Sequence, residues 1–281
     1  MKSYAKDVLV DVDWLSGNLG NEAIRIVEVD ENPALYADSH VPGAIGFDWR
    51  RDLQDRVRRD LLDRGAFAAL MGSRGISDEH TVVLYGDRHN WFAAYAYWYF
   101  RYYRHERVKL LDGGRDAWLE AGAPTATEVI AHPAATFTAG EPDPSVRALR
   151  DEVAAALGTT TALVDVRSRL EFTGELIAMT GYEQEGAQRG GHIPGAVSVG
   201  WSEAVGADGR FLPVDELRRI YADAGVAGRD EPIIVYCRIG ERSAHTWFVL
   251  SELLGERSVA NYDGSWAEWG NLIGVPIEVG P

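Results

Sequence analysis

The chain contains one cysteine, Cys237, within the run Cys237-Arg238-Ile239-Gly240-Glu241-Arg242-Ser243. Residues 232–236 before it form an apolar run that reads as a buried strand. After it, Ala244, Trp247, Phe248, Leu250 and Leu254 recur at a spacing that predicts a helix over 243–254. A cysteine between a strand end and a helix start meets inward-turned backbone N–H groups and the positive end of the helix dipole. Arg238 and Arg242 add two cations. Together these features predict a thiol of lowered pKa: a fall from ~8.5 to ~6.5 raises the thiolate share at neutral pH from about 3% to about 75%. Cys237 is therefore expected to be a nucleophile at rest. The competing reading is an inert small hydrophobe behind a buried strand. One cysteine excludes disulfides, CxxC pairs and cysteine-based zinc sites within the chain, and the seven histidines show no HExxH spacing, so neither a metal nor a cofactor is expected.

The surroundings of Cys237 occur twice in the chain, with one difference. His40-Val41-Pro42-Gly43-Ala44 returns as His192-Ile193-Pro194-Gly195-Ala196. Val82-Val83-Leu84-Tyr85 returns as Ile233-Ile234-Val235-Tyr236, and Asp112-Gly113 with Trp118 returns as Asp263-Gly264 with Trp269. Three patterns in one order at nearly one offset identify a tandem duplication. The position matching Cys237 is Gly86, followed by Asp87-Arg88-His89-Asn90-Trp91. The first copy thus lacks both the thiol and the pair of arginines, which assigns chemistry to the second copy and a scaffolding role to the first.

The elements that position the loop alternate between β-branched runs and helical patterns, as in an α/β layer with a mainly parallel sheet. Strands are predicted over 26–29, 44–47, 81–85 and 108–111 in the first copy, and over 162–166, 196–199, 232–236 and 259–262 in the second. Helices are expected over 65–73, 215–223 and 243–254. Pro124, Pro133, Pro142 and Pro144 mark an extended connection between the copies. The predicted division is a first domain at 1–123, a linker at 124–145 and a second domain at 146–281. The second copy also carries an insertion between Asp165 and His192, including Gly174-Glu175 and Gly181-Tyr182-Glu183. It is expected on the surface, either as one wall of a site or as a tolerated addition.

Composition limits the partners. The 281 residues are 46% apolar, enough for a substantial core, and carry 28 Lys and Arg against 43 Asp and Glu, a formal charge of −15. Such a surface repels nucleic acid and anionic lipid, and an anionic substrate would need a local basic pocket. The apolar stretches are shorter than the ~20 residues of a membrane span, and the first residues lack a signal-peptide apolar core, so no membrane association and a cytoplasmic location are expected.

The HxPGA segments, the Cys-Arg-x-Gly loop after a strand and the Asp-Gly-x-x-x-x-Trp ending resemble the two-domain rhodanese sulfurtransferases over nearly the whole chain. The resemblance implies a tandem pair of rhodanese-like α/β domains, each a mainly parallel sheet flanked by helices, with a catalytically silent first copy. It implies that Cys237 takes the outer sulfur of thiosulfate as a persulfide, releases sulfite, and passes the sulfur to cyanide or a thiol. A thioredoxin-like or biosynthetic protein is a further possible acceptor. Arg238, Ile239, Gly240, Glu241, Arg242 and Ser243 would form the substrate loop, with the two arginines holding the anionic donor. Arg167, in a strand-end Asp-x-Arg, would lie near the site, unless it forms an ion pair with Asp165 or Glu241. Mammalian members of that family place a substrate-contacting arginine where this chain has Glu171, and Arg242 would supply the missing charge. His40 and His192 precede Pro-Gly turns and are read as fixing them, and His245 is expected to face solvent. Two alternatives share the loop. One is a mercaptopyruvate sulfurtransferase, although Arg238 suits a compact dianion better than a keto acid; the other is a persulfide carrier with little turnover. Cysteine phosphatases space Cys and Arg one residue further apart than Cys237 and Arg242.

Overall fold

The computed structural model describes residues 3–179 and 181–281. The chain divides into two compact units. One consists of Asp7–Asp143 together with Val205–Phe211. The other consists of Pro144–Ala204 and Leu212–Pro281, joined by an N-terminal stretch ending at Lys6.

The first unit contains strands β1 (Leu9–Val10), β2 (Ile24–Val29), β3 (Ile45–Phe47), β4 (Thr81–Tyr85) and β5 (Val108–Leu111). They form one parallel sheet in the order β1-β5-β4-β2-β3. Its helices are α1 (Val12–Gly17), α2 (Leu35–Asp38), α3 (Trp49–Asp52), α4 (Arg64–Ser73), α5 (Asp87–Tyr102) and α6 (Gly114–Glu120). Parallel strands need crossover connections, and the helices that supply them cover both faces of the sheet, which is why β4 is apolar and buried almost throughout. The run from Asn90 to Phe100 in α5 is buried on every side, with Trp49 stacked on Phe92 at 4.1 Å between ring centroids. The proline-containing segment after α6 stays extended and is tied to this unit by backbone bonds such as Ala135 N to Gly72 O at 2.9 Å and Gly140 N to Tyr103 O at 3.0 Å. Phe211 N donates to Asp112 Oδ1 at 3.0 Å, fixing the short 205–211 segment in the same unit.

The second unit contains β6 (Ala162–Asp165), β7 (Val197–Ser198), β8 (Ile233–Tyr236) and β9 (Val259–Tyr262), all parallel in the order β7-β6-β8-β9. This is the order β3-β2-β4-β5 of the first unit, so the internal repeat is a repeat of topology. Its helices are α7 (Arg150–Ala156), α8 (Arg169–Thr173), α9 (Val214–Asp223), α10 (Glu241–Trp247) and α11 (Ser265–Trp269), and a π-helical turn at Phe248–Leu254 continues α10. All eight strands expected from β-branched runs are present. The additional β1 has two residues, too short to leave a periodic signal. Ala5 N donates to Leu253 O at 2.8 Å and Lys6 pairs with Glu252 at 2.8 Å, which places the N-terminal stretch on this unit. No helix among the described residues is long and apolar enough to cross a membrane.

Candidate active site

Cys237 leaves the end of β8 and begins a tight loop that closes into α10. Gly240 makes this possible. Its φ is +102°, and a Cβ there would lie 2.8 Å from the backbone Cα of Asp263, so both conformation and space exclude a side chain. The loop is clamped from the segment after β9. Trp266 N donates to Cys237 O and Ala267 N to Arg238 O, each at 3.0 Å. Cys237 N donates to Ser265 Oγ at 3.0 Å, Ser265 Oγ donates to Tyr262 O at 2.7 Å, and Asn261 Nδ2 donates to Gly240 O at 3.1 Å. The Asp-Gly-x-x-x-x-Trp pattern is therefore the clamp of the cysteine loop. Ser265 and Asn261 escaped the sequence reading, because they act across 21 to 28 positions.

The sulfur is fully buried. Gly240 N donates to Sγ at 3.2 Å and Ser243 Oγ at 3.5 Å, while the thiol itself points to Glu241 Oε2 at 3.3 Å. Burial pushes the Cys237 thiol above its ordinary range, and the charge of Glu241 adds to this; Arg242 and Ser243 oppose the rise without cancelling it. The expected resting thiolate is thus corrected: the desolvation cost and a neighbouring carboxylate outweigh the loop's donors. Burial by itself would also suit the inert reading, but the contact with Glu241 is polar.

The arginines are equally altered by their partners. Arg238 pairs with Glu185 through Nε at 2.8 Å, donates from Nη2 to Glu241 Oε1 at 3.0 Å, and lies over the Tyr182 ring at 4.2 Å. Arg242 donates from Nη1 and Nη2 to the two oxygens of Glu171, at 3.1 and 3.2 Å, and its Nε lies 3.6 Å from Glu241 Oε1. Two cations are thus set among three carboxylates, Glu171, Glu185 and Glu241. Glu171 is the partner of Arg242. Burial pushes Glu171 up, but the charge and hydrogen bonds of Arg242 and the Ser168 N–H prevail and hold it at about 2. Glu185 and Tyr182 belong to the insertion, which therefore walls this side of the loop; the acidic residues of the insertion were visible in sequence, their target was not.

Arg167 is buried and donates to Asp165 from Nε at 2.9 Å and to Gly191 O from Nη2 at 2.7 Å, with its guanidinium over the Trp266 ring at 4.5 Å. Of the two ion pairs considered for it, the one with Asp165 forms. Ile239 is buried within the loop. His40 bonds through Nδ1 to Tyr36 O at 2.8 Å and through Nε2 to Glu128 O at 3.1 Å; His192 bonds through Nδ1 to Phe172 O at 2.9 Å. Both hold backbone, but of segments other than the Pro-Gly turns that follow them: Tyr36 and Glu128 for His40, Phe172 for His192. His245 does not face solvent: α10 is buried on every side, and His245 lies edge-on to Trp201 at 5.3 Å. Among the described residues, no group of three or more His, Cys, Asp or Glu side chains is arranged to ligate a metal.

In the first copy the loop is clamped in the same way, but its backbone differs as well as its side chains: Arg88, His89 and Asn90 all have positive φ, at 49°, 56° and 69°, whereas in the second copy Gly240 alone of the matching residues does. Arg115 N donates to Gly86 O at 2.9 Å, as Trp266 N does to Cys237 O. Asn90 takes the loop interior, accepting from Gly86 N at 3.0 Å and donating to Leu111 O at 2.7 Å. A Cβ on Gly86 would lie 2.1 Å from Val29 O.

The rhodanese-like domain model matches the chain twice, over residues 11–121 and 149–272. A Mycobacterium leprae protein named "Putative thiosulfate sulfurtransferase" is 54% identical over 274 residues, 98% of each chain. The sulfur carrier protein TtuD of Thermus thermophilus is 50% identical over 278 residues, 98% of this chain and 97% of that one. Among solved structures, the anaerobic ergothioneine biosynthesis enzyme of Chlorobium limicola, in complex with trimethyl histidine, superposes with a TM-score of 0.84 at 25% identity, covering 97% of this chain and 70% of that one. With two matched domains, one topology repeated and relatives above half identity along the whole chain, this protein belongs to the rhodanese family and is built of two rhodanese-like domains.

Proposed function

We propose that the protein is a thiosulfate sulfurtransferase that carries the outer sulfur of thiosulfate on Cys237 as a persulfide, releases sulfite, and delivers the sulfur to cyanide or a thiol. The observation that carries this reading is the asymmetry of the two copies: one backbone frame holds Cys237 with donors directed at its sulfur, and the other holds Gly86 with no room for a side chain. The names of relatives at 50–54% identity support the same chemistry. A persulfide needs no second cysteine, which suits a chain with one. Gly240 N and the Ser243 hydroxyl donate to Sγ, which supports negative charge on that sulfur as Cys237 gives up its proton.

The donor is a dianion and the chain carries −15, so local cations must be made available. In this reading thiosulfate replaces Glu185 on Arg238. The Glu185 side chain retains 16% exposure, whereas Glu171 and Glu241 are sealed at 2% and 1%, so Glu185 is the carboxylate that can leave. Arg242 stays bound to Glu171 and serves as fixed positive charge near the sulfur.

The test is steady-state sulfite release from thiosulfate with cyanide as acceptor. Sustained turnover in the native protein and its abolition in Cys237→Ser, with unchanged circular dichroism, are expected. Undiminished turnover in the serine variant overturns the assignment. The name of the Thermus relative favours a second reading, a sulfur carrier. It predicts one sulfur per chain on Cys237, formed once and discharged only to a protein acceptor, with negligible turnover on cyanide.

A further inference from the structure

Cys237 has a proton to lose before it can attack sulfur. In a buried site with the thiol pushed upward, the thiolate is scarce at neutral pH, and attack requires a base within hydrogen-bond reach. Glu241 meets that requirement. Its Oε2 receives the thiol at 3.3 Å, while its Oε1 is held by Arg238 Nη2 at 3.0 Å and faces Arg242 Nε at 3.6 Å. One oxygen is anchored by guanidinium groups and the other is turned to the sulfur, so the carboxylate is oriented before any donor arrives.

We propose that Glu241 is a catalytic base that takes the Cys237 proton as the sulfur attacks, and the acid that returns it when the persulfide is discharged. The proposal rests on Cys237 being the sulfur carrier. In the first half-reaction a bond forms between Sγ and the outer sulfur of thiosulfate. The bond from that sulfur to the SO3 group breaks with its electron pair leaving on sulfite, and the thiol proton passes to Glu241 Oε2. The persulfide is left as an anion facing Gly240 N and the Ser243 hydroxyl. In the second half-reaction the cyanide carbon bonds to the outer sulfur, the S–S bond breaks with its pair on Sγ, thiocyanate departs, and Glu241 returns the proton. Charge is conserved in each step and no external oxidant or reductant enters.

The charged and titratable groups around the pair come from several elements. Glu171 projects from α8 onto Arg242, and Glu185 and Tyr182 come from the insertion onto Arg238. Arg167 with Asp165 stands at the end of β6, Asp263 with Arg147 follows β9 beneath Gly240, and His245 lies in α10. Among these, Glu241 has the carboxylate oxygen hydrogen-bonded to Sγ.

The two roles open to Glu241 predict opposite signs, which makes the test decisive. A carboxylate that merely sits beside the thiol keeps it protonated; its replacement by glutamine would release the thiolate and hold or raise the neutral-pH rate. A base cannot be so replaced. The measurement is single-turnover persulfide formation from thiosulfate, read as the gain of one sulfur in intact mass, across about pH 6 to 9. For the native protein we expect a rate nearly flat from about pH 6 to 8, because the thiol proton passes to the hydrogen-bonded carboxylate within the attack itself and the step does not wait for free thiolate. For Glu241→Gln we expect about a 100-fold loss near pH 7 and a rate that climbs about tenfold per pH unit. A glutamine variant as fast as native at neutral pH overturns the proposal. So does a native rate that itself climbs tenfold per unit, a result that does not depend on how the variant folds. Native protein that gains no sulfur at all defeats instead the reading that Cys237 carries sulfur.

Discussion

Glu171 shows how one side chain sets the character of the site. It caps α8 by accepting from Ser168 N at 3.0 Å, and it takes both terminal nitrogens of Arg242. Removing its charge leaves a buried guanidinium beside a buried thiol. Glu171→Gln is therefore expected to destabilise the protein by about 3 kcal/mol, since it breaks one side of a buried pair and leaves Arg242 facing Glu241 at 3.6 Å in place of a bidentate carboxylate. Denaturant titration checks this. The pH dependence has a defined sign. Glu171 is held at about 2, below its unfolded value of about 4.3, so its contribution is complete above the unfolded value and fades as pH falls from there toward 2. In the glutamine variant that acid-side fading should be smaller. The sequence showed that Glu171 departs from the family pattern, but it did not show that an arginine 71 positions later would be its partner.

At the scale of elements, the insertion between α8 and β7 is the part whose function was open in the sequence. Its 3-10 turn, Glu183–Glu185, brings Glu185 to 2.8 Å from Arg238, and Tyr182 lies under the same guanidinium. If thiosulfate takes the place of Glu185, Glu185→Gln removes a competing anion. The expected result is about a fivefold lower KM for thiosulfate with kcat little changed, the equivalent of about 1 kcal/mol for a partly exposed pair. A raised KM would show that Glu185 orders Arg238 for the donor instead of competing with it. Strand and helix positions were legible because they follow from local periodicity. The site's charge balance was not, because the cations lie in one loop while two of the three carboxylates arrive from α8 and the insertion.

Across the whole molecule, the duplication keeps sheet topology and register and exchanges chemistry. Glu28 stands opposite Tyr85 in the first sheet as Asp165 stands opposite Tyr236 in the second. Each holds a buried arginine, but Arg115 comes from α6 and Arg167 from the end of β6. The cation has changed element while its carboxylate stayed in register. The position that is Arg167 in one copy is Asp30 in the other, and Asp30 lies against Glu28 and Asp87. Burial, reinforced by Glu28, pushes Asp30 up to about 8, and burial pushes Asp87 up to about 6. Both values exceed the unfolded value of about 3.9, so the native state favours their protonated forms and stability should fall as pH rises from there through 6 and then 8. Asp30→Asn should flatten the upper part of that decline, measured as melting temperature against pH. For the same asymmetry, Gly86→Cys should not create a second site: sulfur transfer should stay absent in a Cys237→Ser background, and the added Cβ, 2.1 Å from Val29 O, should lower stability. Activity in that double variant would contradict the assignment of chemistry to the second copy.

By itself the sequence determined the duplication, the parallel α/β layers, the family and the loop around Cys237, because these rest on patterns carried by neighbouring residues or repeated at one offset. Only the tertiary structure decided the state of that loop. It buries the thiol, sets three carboxylates around Arg238 and Arg242, and turns Glu241 toward the sulfur. The physical reason is that a pKa follows from desolvation and from every charge within a few ångströms, and burial and the approach of distant elements are properties of packing.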